Sequence, residues 1–443
     1  MKTFLLIAVL ALAAAPVRAA EPGCVTSTCH AGIVAFKHPH QPAAGGECLN
    51  CHKQTQKEHP LKGGKSFTLA LQGAELCREC HTVPGTKKVV HDPVKGGECV
   101  SCHAPHGADT PKLLKDVKGE DSLCFACHDK GPFARKTVHG PVAEGSCDAC
   151  HDPHESDNKG LLKKVGRELC LSCHEDFGKK MRTATVVHPP VQKEPCTSCH
   201  DPHSSDAGSL LKQSMPELCV KCHKDIGKKL ATVKVPHKPV GEGKLCGNCH
   251  TAHFSQSKGL LSAVDEKTAC LACHSTSKLG NPPLSDIAKE LEGKRNLHGP
   301  IASGRCSGCH DPHGSDHPRI LKGNYSTDFY VPFRLDSYGL CLSCHDKNLL
   351  QFQKTTIYTK FRNGDRNLHY LHVSGPKGRS CRACHEPHAS TGKKLIGTEG
   401  VKFGQWRVKS RFELTATGGS CAPGCHRRLS YDRNTFDKGS KAQ

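Results

Sequence analysis

The chain has 443 residues, a formal charge of +20 from 62 Lys and Arg against 42 Asp and Glu, and only 36% apolar and 5% aromatic side chains. With 28 Pro, 43 Gly and a mean hydropathy of −0.50, disorder is the default expectation. Length alone would suggest two or three globular domains. The composition excludes ordinary ones unless something other than side chains supplies the interior.

Residues 1–19 read as a secretory signal peptide. Lys2 gives the charged start, 4–15 the apolar run, and Val17-Arg18-Ala19 a small-residue cleavage site. The run is too short to span a membrane, and nothing later resembles a spanning helix. The mature chain is therefore expected to cross the inner membrane and to work in the periplasm or at the cell exterior, with no integral membrane segment after cleavage.

From there Cys-x-x-Cys-His recurs thirteen times. Two stretched versions bring the total to fifteen and use all 30 cysteines. Residues 20–84 form an N-terminal segment with three motifs: the stretched Cys24, Cys29 and His30, then Cys48, Cys51 and His52, then Cys77, Cys80 and His81. Residues 85–290 hold four regular two-motif repeats. The first two contain Cys99, Cys102 and His103; Cys124, Cys127 and His128; Cys147, Cys150 and His151; and Cys170, Cys173 and His174. The next two contain Cys196, Cys199 and His200; Cys219, Cys222 and His223; Cys246, Cys249 and His250; and Cys270, Cys273 and His274. Residues 291–443 hold two enlarged repeats with an aromatic-rich C-terminal cap. Their motifs are Cys306, Cys309 and His310; Cys341, Cys344 and His345; Cys381, Cys384 and His385; and the stretched Cys421, Cys425 and His426.

A short helical turn puts positions i, i+3 and i+4 on one face. Two thiols can then add to the vinyl groups of one porphyrin while the following imidazole takes the iron, which is the attachment chemistry of c-type haem. Zinc sites use paired Cys-x-x-Cys units without requiring a His after each, and a disulfide framework explains the histidines no better. With 32 His in the chain, a His falls in that slot by chance about 7% of the time; here it does so in every motif. The cofactor expected is covalently attached haem c, up to fifteen copies, and these rings are the missing interior. Their thirty propionates bring the formal +20 to about −10 with ferrous iron and about +5 with ferric iron. Pairs such as Lys163-Lys164, Lys179-Lys180 and Lys228-Lys229 then read as propionate counterions or solvated faces rather than docking patches, and no nucleic-acid partner is expected.

Successive first motifs, from Cys48 to Cys381, are spaced by 51, 48, 49, 50, 60 and 75 residues, the sign of a repeat architecture. Each repeat carries two further histidines. His40, His91, His139, His188 and His298 stand eight residues before their Cys, and His237 and His372 nine before. The others follow the first iron-binding His by three residues: His106, His154, His203, His253, His313 and His388, with His59 in that place, at a longer offset, in the first repeat. Seventeen spare His for fifteen sixth positions, and only Met181 and Met215 after the signal, point to bis-histidine ligation. An extended chain of three residues reaches about 10 Å, too little to round the porphyrin rim. His154 and its equivalents are therefore expected to ligate a neighbouring haem. His38 is the expected sixth ligand of the first haem. Between His369 and His372, spacing favours His372, whereas the match of Arg366-Asn367-Leu368-His369 to Arg295-Asn296-Leu297-His298 favours His369. Aliphatic pairs such as Leu113-Leu114 and Leu161-Leu162 are expected to cap haem faces.

These residues resemble the multihaem c-type cytochromes of the doubled CXXCH motif group, in the cytochrome c3-like superfamily. The likeness runs through His139-Gly140-Pro141-Val142, Cys147-Asp148-Ala149-Cys150-His151-Asp152-Pro153-His154 and the segment 361–372. It implies low-potential haems in close succession, and electron transfer in anaerobic respiration. The partners it implies are periplasmic or outer-membrane cytochromes and quinol-oxidising complexes. The fold class expected is mostly coil with short α-helices, a repetitive cytochrome wrapped around a chain of closely packed haems. Little β structure is expected except near the C-terminus, where Val401 to Leu414 has strand-like composition. Repeats of this kind stack quasi-linearly, so an elongated haem wire is expected. An electron carrier, not an enzyme, is the first reading. A reductase with one open-site haem and a subunit of an extracellular cytochrome filament are the alternatives.

Overall fold

The computed structural model describes residues 23–26, 29–115, 123–280 and 283–435; the expected signal peptide lies outside them. Among the described residues no helix is long and apolar enough to cross a membrane. The chain divides into two compact units, Met1–His174 with Cys199–Lys212, and Glu175–Ser198 with Gln213–Gln443.

Both units are mostly coil punctuated by short helical turns and two-residue ladders, the architecture expected. The regular attachment motifs lie on one-turn helices. First motifs form 3₁₀ turns such as Cys99–Ser101, Cys147–Ala149 and Cys306–Gly308. Second motifs end or lie within α-helices such as Gly166–Leu171, Glu217–Val220 and Glu266–His274. The turn closes on the chemistry itself: the His N–H donates to the carbonyl of the first Cys at 2.8–3.1 Å, as in His81 to Cys77, His151 to Cys147 and His310 to Cys306. Cys, Cys and His thus share one face. The stretched motifs differ. Cys421 ends the strand Gly418–Cys421, and His30, at φ 47°, bridges back to Thr26.

Ahead of most repeats the spare His sits at the N-cap of a single helical turn, with Pro in its first two positions. His91 precedes Asp92–Lys95, His139 precedes Gly140–Ala143 and His298 precedes Gly299–Ala302. Proline's fixed φ suits that position, and its missing N–H costs nothing there. The two residues before this His pair antiparallel with the two after the spare His of the next repeat: Val89–Val90 with Glu155–Ser156, and Thr137–Val138 with Ser204–Ser205, in the first unit. In the second unit Val186–Val187 pairs with Phe254–Ser255 and Asn296–Leu297 with Ala389–Ser390.

The second unit adds a hairpin, Val401–Phe403 with Trp406–Val408, and a three-stranded sheet of Glu413–Leu414, Gly418–Cys421 and Leu429–Asp432. The buried apolar cluster of Val331, Tyr338, Leu350 and Val373 also lies here. This is where the aromatic residues concentrate.

Candidate haem-binding sites

Two backbone devices aim the imidazoles. The first acts on the His of the first motif in six repeats, from the Cys99 motif onward. After it the chain makes two successive left-handed residues, for example Gly160 at φ 70° and Leu161 at φ 58°, which return the carbonyl of Gly160 to Nδ1 of His151 at 2.7 Å. The same turn serves His103 through Lys112, His250 through Gly259, His310 through Arg319 and His385 through Lys394, at 2.8–3.0 Å. With Nδ1–H donating to a carbonyl, the Nε2 lone pair is left for a metal. A left-handed side-chain-bearing residue costs about 1–2 kcal/mol, so the aliphatic pairs expected as haem caps also hold a strained turn that orients a ligand. Their spacing is visible in the sequence; the backbone sign is not.

The second device locks the two kinds of spare His together. The His91 N–H donates to the His154 carbonyl at 2.9 Å, and His91 Nδ1–H donates to the Pro153 carbonyl at 2.9 Å. His40 with His106 and Pro105, and His139 with His203 and Pro202, repeat this in the first unit. His188 with His253 and Ala252 does so in the second.

Eleven attachment His each face one spare His. A His nitrogen sits about 2.0 Å from its metal and about 1.1 Å from its ring centre, so two imidazoles sharing one metal have centroids about 6.2 Å apart. In the first unit the centroid distances are 6.1 Å for His52 and His106, 6.0 Å for His81 and His40, and 6.0 Å for His103 and His154. They are 6.1 Å for His128 and His91, 6.2 Å for His174 and His139, and 6.2 Å for His151 and His203. In the second unit they are 6.0 Å for His223 and His188, 6.4 Å for His274 and His237, and 6.1 Å for His250 and His313. His345 and His298 are 6.1 Å apart, and His310 and His388 are 6.3 Å apart. Interplanar angles run from 10° to 34°. The residues fit axial ligation of an iron between each pair. Among the described residues no three His, Cys, Asp or Glu side chains group as a metal cage, whereas structural zinc takes four such ligands.

A rule emerges. The His ahead of a repeat serves the second motif of that repeat, and the His three residues past a first motif serves the first motif of the repeat before. His154 accordingly faces His103, one motif pair back, and not His151. The ends of the chain depart from the sequence expectation. His30 faces His59, with Nε2 atoms 3.4 Å apart, and not His38. The strand His38–Pro39 is held against Gly107–Ala108, a register that delivers His40 to His81. At the other end, His369 and His372 have different attachment His as neighbours. Burial, then the neighbouring His385 and His372, pushes the pKa of His369 down to about 4. Burial lowers that of His372, with Arg379 and His426 adding to it. His369 therefore lies by the Cys381 motif and His372 by the Cys421 motif. His369 Nδ1 faces Thr359 Oγ1 at 2.8 Å, and His372 Nδ1–H donates to the Leu368 carbonyl at 2.7 Å, from a π-helical turn, Tyr370–Ser374.

Consecutive motifs are also neighbours through their sulfurs. In the first unit burial raises the Cys48, Cys77 and Cys102 thiols, and each is raised further by the next or preceding motif: Cys24 for Cys48, Cys99 and Cys51 for Cys77, Cys124 and Cys127 for Cys102. In the second unit the Cys270 thiol is raised by its hydrogen bond with Cys306, and the Cys381 thiol by its hydrogen bond with Cys341. Burial, then Cys341 and Cys344, raises Cys309; burial, then Cys421, raises Cys384. At these positions the attachment cysteines of successive motifs therefore adjoin, in chain order, within each unit.

The model of the doubled CXXCH motif family matches residues 40–85, 91–133, 139–179, 188–228, 237–279, 298–349 and 374–403, more than half of the chain. The first six matches open on the spare His that heads each repeat. No curated protein matches the chain. On the motifs, the paired imidazoles and these seven matches, the chain belongs to the doubled CXXCH motif family and is a multihaem c-type cytochrome, an electron-transfer protein carrying many covalently bound haem c groups.

Proposed function

We propose that the chain carries fifteen haems and conducts electrons along them in the order of the motifs, in anaerobic respiration in the periplasm or at the cell surface. Haem c supplies an iron that exchanges one electron between ferric and ferrous states. The side chains do the rest. The thioethers fix each ring, and paired imidazoles fill both axial positions. The left-handed turns hold Nε2 unprotonated, and adjoining cysteines keep consecutive rings close. Imidazole at both positions favours lower potentials than Met–His ligation does, and the protein's part is spacing, orientation and local electrostatics. Electrons would come from and go to other redox proteins, such as quinol-oxidising complexes and outer-membrane cytochromes.

The observation that carries this reading is the set of twelve His–His pairs at 5.7–6.4 Å, one attachment His in each. An iron held on both sides has no position for a substrate, which argues for electron carriage over reductase chemistry. Intact mass and low-temperature EPR of the purified holoprotein test it together. The expected result is fifteen haem additions with only low-spin ferric signals. Stoichiometric high-spin iron in the unmodified protein would return the reductase reading.

A further inference from the structure

His388 differs from the other spare histidines in what holds its second nitrogen. The Nδ1 atoms of His40, His91, His139, His188 and His237 face backbone carbonyls. The Nδ1–H of His388 donates instead to the Glu290 carboxylate, Oε1, at 2.9 Å. Other spare His have acids nearby without that bond. Asp152 and Asp311 accept the backbone N–H of His154 and His313 at 3.0 and 3.1 Å. Their oxygens lie 3.9 Å from the ring Nδ1, beyond hydrogen-bond reach.

Glu290 comes from the segment that breaks the repeat period. His223 and His237 are 14 residues apart, whereas His274 and His298 are 24 apart. The extra length forms the helix Ile287–Leu291, whose N-cap Asp286 accepts from the Lys289 N–H at 2.9 Å. His388 and Glu290 side chains are 27% and 42% exposed, partly shielded from water. A carboxylate on Nδ1–H makes an imidazole a stronger electron donor at Nε2, and such donation favours ferric over ferrous iron.

We infer that Glu290 tunes the haem held by Cys306, Cys309 and His310, through His388, to a more reducing potential than its counterparts in the preceding repeats. The exchange at that iron is one electron each way with no proton transferred, since Nδ1–H stays on His388 in both states. The site then stands as an uphill step between the regular repeats and the last three motifs. Glu290 acts through His388 and is a positioning and tuning residue, not a catalytic one.

This inference rests on the axial pairing proposed above, and the test separates the two. Spectroelectrochemical titration and EPR would be run on the holoprotein, on Glu290→Gln, which keeps an acceptor and removes the charge, and on Glu290→Ala. In both variants about one-fifteenth of the haem absorbance is expected to titrate at less negative potential than in the unmodified protein. The expected shift is about tenfold in the ferric–ferrous equilibrium, ~59 mV for one electron, with all irons still low-spin. Titrations that superimpose on the unmodified protein would overturn the role of Glu290 and leave the pairing intact. A high-spin iron in Glu290→Gln would also overturn it, by reducing Glu290 to a mechanical support. High-spin iron already present in the unmodified protein would instead count against the pairing itself.

Discussion

The N–H of His91 donates to the carbonyl of His154 at 2.9 Å, yet the two rings turn to different attachment motifs, His91 to His128 and His154 to His103. One backbone bond therefore ties the His that face two consecutive attachment motifs, and through them two repeats. The ladder Val89–Val90 with Glu155–Ser156 continues this bond. A chain with few buried side chains thus gains its order from ligands exchanged between neighbours.

Because His154 faces His103, its loss should be felt at the Cys99 motif. His154→Ala is expected to convert one iron per chain to high spin, read by integrating the ferric EPR signal. Adding Cys99→Ala and Cys102→Ala should abolish that signal, whereas adding Cys147→Ala and Cys150→Ala should leave it. The reverse pattern would show that His154 serves its own motif.

The two ends give a matched set. His59→Ala, His369→Ala and His372→Ala are each expected to produce one high-spin iron per chain, since each faces or adjoins an attachment His. His38→Ala is expected to leave the spectrum unchanged. A high-spin iron in His38→Ala with none in His59→Ala would restore the assignment suggested by sequence proximity alone.

The left-handed turns allow a stability test that leaves the ligands alone. Lys112 and Lys394 are exposed and sit at φ 58°, where Gly160 and Gly259 stand in sister repeats. Lys112→Gly and Lys394→Gly should each stabilise by roughly 0.5–1 kcal/mol, the relieved strain less the extra freedom of glycine when unfolded. Thermal unfolding followed by Soret circular dichroism reads the gain. A fall in midpoint would mean that the lysine side chains matter more than the backbone sign.

How much of this is legible in the sequence follows from what each feature depends on. Attachment needs covalent spacing, so Cys147, Cys150 and His151 announce themselves. Cross-ligation by His154 follows from reach, because three residues cannot round a ring. The ends are harder: His38 and His59 both lie near the first motif, and only the ladder with Gly107–Ala108 commits the His38 segment elsewhere. The sequence treats His369 and His372 as rivals because both precede the Cys381 motif, and spacing alone cannot divide them between the Cys381 and Cys421 motifs. Glu290 is 98 residues from His388, in a stretch that reads only as an irregular insertion.

Asn367 is the residue on which the C-terminal ligand pair depends. It is 1% exposed, and its amide donates to the Leu349 and Phe352 carbonyls at 2.9 and 2.8 Å. Its Oδ1 accepts the N–H of His369 and Tyr370 at 3.0 and 3.1 Å, capping the turn from which both His369 and His372 project. A buried partner left unpaired costs about 1–3 kcal/mol, so Asn367→Ala should destabilise the protein by about 3 kcal/mol and release His369, giving high-spin iron. Asn367→Asp keeps the acceptor and loses the donors; it should destabilise while the iron stays low-spin. Thermal unfolding and EPR on the same samples separate the two effects. If Asn367→Asp released the ligand as fully as Asn367→Ala, the cap on the His369 N–H would not be what positions it.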